Sequence, residues 1–330
     1  MPEKEFPLVS IVIPVYNSQD FITETLNSAL CQTYTNIEII CVDDGSTDQT
    51  VSIVKRIMEK DARLHLYIRE ELPKGGSTCR NIGAYQSGGK YLMFLDSDDV
   101  LSHDCVENRL NAIRNTDNKF VVFPMASFKD DISTWKMTSR LHVRDFKHFF
   151  ASGFAAWQVS STFFDKEFFT CTLKGFDNTF QRLQDIEMHL RAILASNDKF
   201  TVFKDAQPDC FYRRSESPAV SHRKMVITLQ AYEHFSELLL TLYEKGTFKS
   251  KHLFSLSILI MLLTMLCTVN ILYMAHIYEY DRARIYSIAL KKKLTWYHKP
   301  LFIFGIILTS PKLGMLYARV MRRICQNRFY

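Results

Sequence analysis

Four clusters of polar residues in the first hundred positions carry side chains able to do chemistry. The plainest is Asp96-Ser97-Asp98-Asp99, directly behind a fully apolar run. Carboxylates two residues apart, Asp96 and Asp98, with Asp99 as a third, form an oxygen-donor pattern for a hard cation. Mg²⁺ or Mn²⁺ is usually held by one or two such groups together with substrate phosphates. Asp99 by itself would serve equally as an acid favoured by a helix N-terminal dipole. In the second cluster, Asp43-Asp44-Gly45-Ser46-Thr47-Asp48, two carboxylates sit where a buried run meets a turn. Ser46, Thr47 or Asp48 can cap a following helix. That leaves Asp43 and Asp44 to bond a ribose hydroxyl or a base N–H. The third, Pro14-Val15-Tyr16-Asn17, sets a flat ring with a hydroxyl at a strand end, unless Tyr16 is simply packed in a strand-to-helix turn. Pro14 should close that strand, having no N–H to donate. The fourth, Lys74-Gly75-Gly76-Ser77-Thr78-Cys79-Arg80-Asn81-Ile82-Gly83, is a glycine-rich loop entering a helix, with Arg80 in its first turns. A helix N-terminus with an arginine can hold the anionic part of a nucleotide. The spacing is neither G-x-x-x-x-G-K-[ST] nor G-x-G-x-x-G, which argues against a P-loop NTPase and a Rossmann dehydrogenase.

The elements that must position these groups are legible in the apolar pattern. Short apolar runs occupy 9–13, 37–42, 64–68 and 91–95, with starts 28, 27 and 27 residues apart. Residues 20–30 place Phe21, Ile22, Leu26, Ala29 and Leu30 on one helical stripe, and residues 48–60 do the same with Val51, Val54, Ile57 and Met58. This alternation predicts an α/β fold, a mostly parallel sheet with helices on both faces. Ligands of such sheets bind beyond the carboxyl ends of the strands, where the clusters lie. Residues 1–100 then form a nucleotide-binding half and 101–222 the second half of the same domain. Residues 223–330 change to a helical, apolar character.

The chain has 330 residues, 47% hydrophobic and 23% charged, which excludes a disordered, collagenous or coiled-coil protein. After Asp281 there are 11 Lys and Arg and no acid, whereas residues 1–281 carry 30 basic and 35 acidic side chains, a net of −5. A basic tail calls for an anionic partner. Residues 253–275 contain no charge, and Lys312, Arg319, Arg322, Arg323 and Arg328 lie among apolar residues. An apolar and basic tail fits an anionic membrane surface better than nucleic acid. The uncharged stretch is long enough to span a bilayer, but its thin polar stripe also suits an interfacial or packed helix. The N-terminus lacks a signal-peptide pattern, and the eight cysteines show no zinc-site spacing, so free thiols in the cytosol are expected, with the protein attached peripherally to the inner face of the cell membrane.

The set VSIVIPVYN, VDDGSTD, GGSTCRNIG and YLMFLDSDD, in this order and spacing, closely resembles the inverting family-2 glycosyltransferases of GT-A fold, over about residues 7–222. The resemblance implies a nucleotide-sugar donor, a UDP-sugar by default, over the first half of the sheet. Pro14 and Ser97 would belong to that donor site. Tyr16 would stack near the base, Asp44 would bond the base with Asp43 beside it, Arg80 would help hold the nucleotide, and Asp96 would lie near the ribose. Asp98 would coordinate a divalent metal, Mn²⁺ or Mg²⁺, bridging the diphosphate. In Arg182-Leu183-Gln184-Asp185-Ile186-Glu187, Asp185 matches the family's catalytic base, Gln184 replaces its usual first acid, and Glu187 competes for the role. Arg213 and Arg214 would face the leaving diphosphate from a closing loop, or else belong to a solvated basic loop. His222 would be an extra metal ligand or a plain surface residue, and Trp157 an acceptor-side aromatic or a core side chain. The acceptor would be a glycan or lipid-linked hydroxyl in surface polysaccharide synthesis. Gln184 keeps open a catalytically silent nucleotide-sugar-binding or scaffolding subunit. A sugar nucleotidyltransferase would use the same sheet and metal.

Overall fold

The structure is a computed structural model, and it describes residues 6–72, 74–214, 222–248, 250, 253–259, 261 and 323. In chain order the elements are β1 (Val9–Val15), α1 (Ile22–Leu30), β2 (Ile37–Asp43), α2 (Thr50–Met58), β3 (Leu64–Ile68), α3 (Gly76–Gln86), β4 (Tyr91–Phe94), β5 (Val100–Leu101), α4 (Cys105–Ile113), β6 (Phe120–Val122), β7 (Met125–Phe128) and β8 (Lys136–Met137). They continue with α5 (Phe146–Ala151), β9 (Thr162–Asp165), α6 (Gln184–Ala195), β10 (Phe200–Val202), β11 (Cys210–Arg213) and α7 (His222–Glu244). The described residues fall into two compact units. The first takes residues up to 141 with 157–178 and 191–216; the second takes 142–156, 179–190 and the residues from 217 on.

In the first unit a seven-stranded sheet runs β10-β6-β9-β4-β1-β2-β3. Only β9 is antiparallel to its neighbours β4 and β6. The two-residue period of β1 explains its layers. Val9, Ile11, Ile13 and Val15 share a core with Ile22, Leu26 and Ala29 of α1 and Val54 of α2. Val12 points to the opposite face, where α3 lies so close that a Cβ on Gly83 would collide with the Val12 methyl groups. A glycine at 83 is what lets α3 settle on β1. On β4, Phe94 joins a ring cluster with Phe169 at 5.1 Å and Phe176 at 5.4 Å, so the strand ahead of Asp96 is held by aromatic packing. A second sheet in the same unit, β5-β11-β7-β8, has strands of two to four residues.

One expectation needs correction. Pro14 does not close the first strand: β1 pairs with β2 through Val15↔Asp43. The ladder to β4 already ends at Val12↔Phe94, so on that side Pro14 faces no acceptor that needs an N–H.

The second unit contains α5, α7 and the first turns of α6. Asp145 caps α5, its carboxylate accepting from the His148 amide at 3.0 Å and lying 2.6 Å from His148 Nδ1. Tyr232 of α7 donates to the Gly153 carbonyl, and Ser257 donates to that of His148. Among the described residues no helix is long and apolar enough to cross a membrane. Most of the uncharged stretch 253–275 and the basic tail lie outside the described residues.

Candidate active site

A cavity of about 250 Å³ opens at the carboxyl ends of β1, β2 and β4, lined by Pro14, Val15, Tyr16, Asp44, Gly76, Cys79, Asp96, Ser97 and Asp98. The chain order makes this a switch point: β2 and β3 extend the sheet to one side of β1, and β4 returns on the other. Tyr16 is 56% exposed at the rim.

The paired aspartates after β2 divide their labour. Asp43 is buried and turns back on its own loop, accepting from the amides of Gly45 and Ser46 at 3.0 Å each and from the Ser46 hydroxyl. It braces the turn and does not line the cavity. Asp44 lines it. One Asp44 oxygen accepts from Arg69 Nη1 at 2.7 Å and the other from the Gly75 amide at 2.7 Å, while Lys74 Nζ reaches the Asp44 carbonyl at 2.8 Å. Gly75 sits at φ +142°, a conformation that only glycine takes comfortably. This ties the glycine-rich loop to the end of β2 and brings the N-terminus of α3 to the cavity. Arg69 was not singled out by sequence, although a cation directly behind the third strand run obeys the same positional rule as the other clusters. Cys79 was also missed; burial, then the Asp44 charge, push its thiol up to about 11, so it is a neutral wall.

The Asp96 carboxylate pairs with Arg80, which does not itself line the cavity and lies 5.6 Å from the Phe176 ring. Ser97 is held at the base of α1, its hydroxyl 2.6 Å from that of Ser18 and its carbonyl accepting from Thr25. Burial, then the charge of Asp96, raise the Asp98 carboxyl above the usual range. Asp99 is fully buried and raised further, by burial and then by Asp96 and Asp98. One Asp99 oxygen accepts from the Arg213 amide at 3.1 Å; the other has no partner among the described residues. Asp99 is thus no helix-end acid but the root of the turn. No group of three or more His, Cys, Asp or Glu among the described residues is placed to hold a metal ion. Two carboxylates on one wall, Asp96 and Asp98, are a donor set that suits a hard cation completed by ligand oxygens.

The profile of Glycosyl transferase family 2 matches residues 10–180, more than half of the chain. The chain belongs to glycosyl transferase family 2. An uncharacterized glycosyltransferase of Haemophilus influenzae is 43% identical over 105 residues, 32% of this chain and 42% of the relative. Glycosyltransferase GlyG of Streptococcus pneumoniae serotype 4 is 35% identical over 115 residues, 35% of this chain and 38% of that protein. The matches therefore span less than half the length of these curated relatives. In fold, the family-2 chain is similar to S. aureus TarS 1-349, with a TM-score of 0.61 at 15% identity over 98% of this chain and 92% of TarS 1-349. It is also similar to the mannosyltransferase PcManGT of Pyrobaculum calidifontis, at 0.53 and 18% over 97% and 88%. The architecture is the expected GT-A fold.

Gln184 and Asp185 open α6 in the second unit, both half-buried, and Gln184 reaches the Gln181 carbonyl. Glu187, two residues further on, is 2% exposed, which leaves Asp185 as the more accessible acid of that turn. Leu183, just before them, takes φ +63°, strained for a leucine, and its carbonyl accepts from the Glu187 amide. Trp157 is buried, a core side chain. Arg213 ends β11 with its guanidinium engaged within the first unit, and Arg214 is exposed, its amide bonded to the Phe128 carbonyl. Residues 215–221 and the His222 side chain lie outside the described residues. The six cysteines among the described residues are free thiols.

Proposed function

We propose that this family-2 enzyme is a metal-dependent, inverting transferase that moves a sugar from a nucleotide-sugar to a hydroxyl of a glycan or lipid-linked acceptor in surface polysaccharide synthesis. The observation that carries the reading is the cavity itself: a ring, a tethered aspartate and two carboxylates gathered at the carboxyl ends of three parallel strands, with Arg80 paired to Asp96 beside it. Related folds hold such donors. TarS 1-349 has been solved with UDP and with UDP-GlcNAc, and PcManGT with GDP-Man and Mn²⁺. A UDP-sugar is the default donor here.

In this reading Tyr16 packs against the base, Asp44 and the glycine-rich loop set the nucleoside, and Arg80 and Asp96 hold the ribose and diphosphate side. Asp98 is the protein ligand for Mn²⁺ or Mg²⁺, which when bound supplies positive charge beside the departing diphosphate. Asp185 takes the proton of the acceptor hydroxyl, whose oxygen attacks the anomeric carbon opposite the leaving nucleoside diphosphate. The accessibility of Asp185 compared with Glu187 supports that choice. Residues 1–222 form the transferase domain, and the tail from 223 attaches it to the inner face of an anionic membrane.

The test is a screen of UDP-, GDP- and other nucleotide-sugars for thermal stabilisation and slow hydrolysis, each with Mn²⁺ and with chelator. Metal-dependent stabilisation by one donor, with release of its nucleoside diphosphate, is expected. Release of pyrophosphate from a sugar phosphate and a nucleoside triphosphate would contradict the reading and point to a nucleotidyltransferase.

A further inference from the structure

The family resemblance implies that Arg213 either meets the leaving diphosphate or belongs to a solvated basic loop. Its surroundings say otherwise. Arg213 does not line the cavity. Its Nε donates to the Asp98 carbonyl at 3.1 Å, and its Nη2 pairs with the Glu24 carboxylate at 2.5 Å. Its guanidinium lies over two rings, 4.5 Å from the centre of Phe128 and 5.1 Å from that of Phe21. Its amide donates to the buried Asp99 carboxylate. The side chain is 12% exposed, so the cation is mostly withdrawn from water. Glu24 stands in the first turn of α1, the helix whose Thr25 hydroxyl bonds the Ser97 carbonyl.

These contacts converge on one stretch of chain. Ser97, Asp98 and Asp99 are each gripped from behind, by Thr25, by the Arg213 guanidinium and by the Arg213 amide. A short turn carrying three neighbouring carboxylates repels itself, and an unsupported one would splay. Arg213 ties its backbone to α1 and β7 with a planar cation that bonds a carboxylate and a carbonyl while lying over aromatic rings, a combination that lysine cannot reproduce.

We propose that Arg213 is a positioning residue: with Glu24 as its counter-ion, it fixes the Asp96–Asp99 turn so that Asp96 and Asp98 already face the cavity when donor and cation arrive. The proposal rests on the reading that Asp98 holds the cation, and it assigns Glu24, outside the cavity, a part in metal affinity.

The experiment uses the full chain. UDP binding is measured by calorimetry with chelator and then at graded Mn²⁺, for wild type, Arg213→Lys, Arg213→Gln, Glu24→Gln and the Arg213→Lys/Glu24→Gln double variant. Outer-shell partners of a metal ligand typically cost 10–100-fold in metal affinity when removed. The expected result is a Mn²⁺ half-saturation point raised about tenfold in each single variant. Metal-free UDP affinity should stay within about twofold, and the double variant should be no worse than Arg213→Lys, because both act through one contact. Glu24 is 55% exposed, so Glu24→Gln reports even if the Arg213 variants fold poorly. Weakened metal-free UDP binding in the Arg213 variants, with Glu24→Gln like wild type, would make Arg213 a direct diphosphate ligand and overturn the proposal. Unchanged Mn²⁺ half-saturation in variants of a wild type that does respond to Mn²⁺ overturns the proposal alone. A wild type whose UDP affinity ignores Mn²⁺ overturns the metal reading beneath it as well.

Discussion

Arg69 and Asp44 form an ion pair at 2.7 Å, with side chains only 9% and 11% exposed, at the ends of neighbouring strands β3 and β2. Arg69 is absent from the cavity lining, yet it holds the residue that reaches it. Replacing Arg69 by Met should therefore weaken UDP binding by about tenfold, the worth of one charge-assisted hydrogen bond. It should also lower the melting temperature, because it leaves Asp44 partly buried without its cation. Calorimetry and a thermal melt check both. Unchanged UDP affinity would show that the pair is structural only.

Asp185→Asn should retain donor binding and lose transfer by a factor on the order of 10² or more, as removal of a general base does. Glu187→Gln should lose stability instead, since Glu187 is buried. Steady-state rates and UDP binding for the two variants decide the matter. An active Asp185→Asn beside a dead, folded Glu187→Gln would move the base by two residues.

Stability at acid pH has an identifiable contributor in the second unit. His189 is fully buried on α6, its Nδ1 2.7 Å from the Asp185 carbonyl, and burial pulls it down to about 3. In the unfolded chain an imidazole titrates near 6.5, so between about pH 6.5 and 3 the unfolded state binds the extra proton. Stability is then full above pH 6.5 and falls as pH drops, by up to about 1.4 kcal/mol per pH unit from this group. His189→Gln, which cannot titrate, should be less stable at pH 7 but should lose less between pH 6 and 4. Urea midpoints over that range test this; parallel slopes in the two proteins would refute it.

The tail supplies a separate prediction. With 11 cations and no acid after Asp281, the full chain should sediment with anionic vesicles and release as salt rises. Each cation near the surface is worth about 1 kcal/mol. Changing Lys312, Arg319, Arg322, Arg323 and Arg328 to Gln should abolish most of that binding. Equal sedimentation of the variant, or release by detergent alone, would favour apolar insertion over surface attachment.

The first four strands and the cavity were legible because each is written locally. An apolar run, then a polar cluster, then a helical stripe repeats every 27 or 28 residues, and the ends of the runs are the ends of the strands to within two residues. What adjoining side chains share was not legible. Asp43 and Asp44 look alike in sequence, and only the positions of the Ser46 amide and of Arg69 separate brace from wall. Arg213 and Glu24 are 189 positions apart, and Arg109 and Asp209 form a buried pair across 100; no spacing rule links such partners. The small sheet escaped for another reason: strands of two to four residues are too short to display alternation.

Asp98 is expected to make donor binding metal-dependent. The direct measurement is UDP affinity with Mn²⁺ and with chelator, for wild type and for Asp98→Ala shown to be folded by circular dichroism. Wild type should bind UDP more tightly with Mn²⁺, and Asp98→Ala should keep the metal-free affinity but lose the gain. The same Mn²⁺-dependent gain in Asp98→Ala would contradict it.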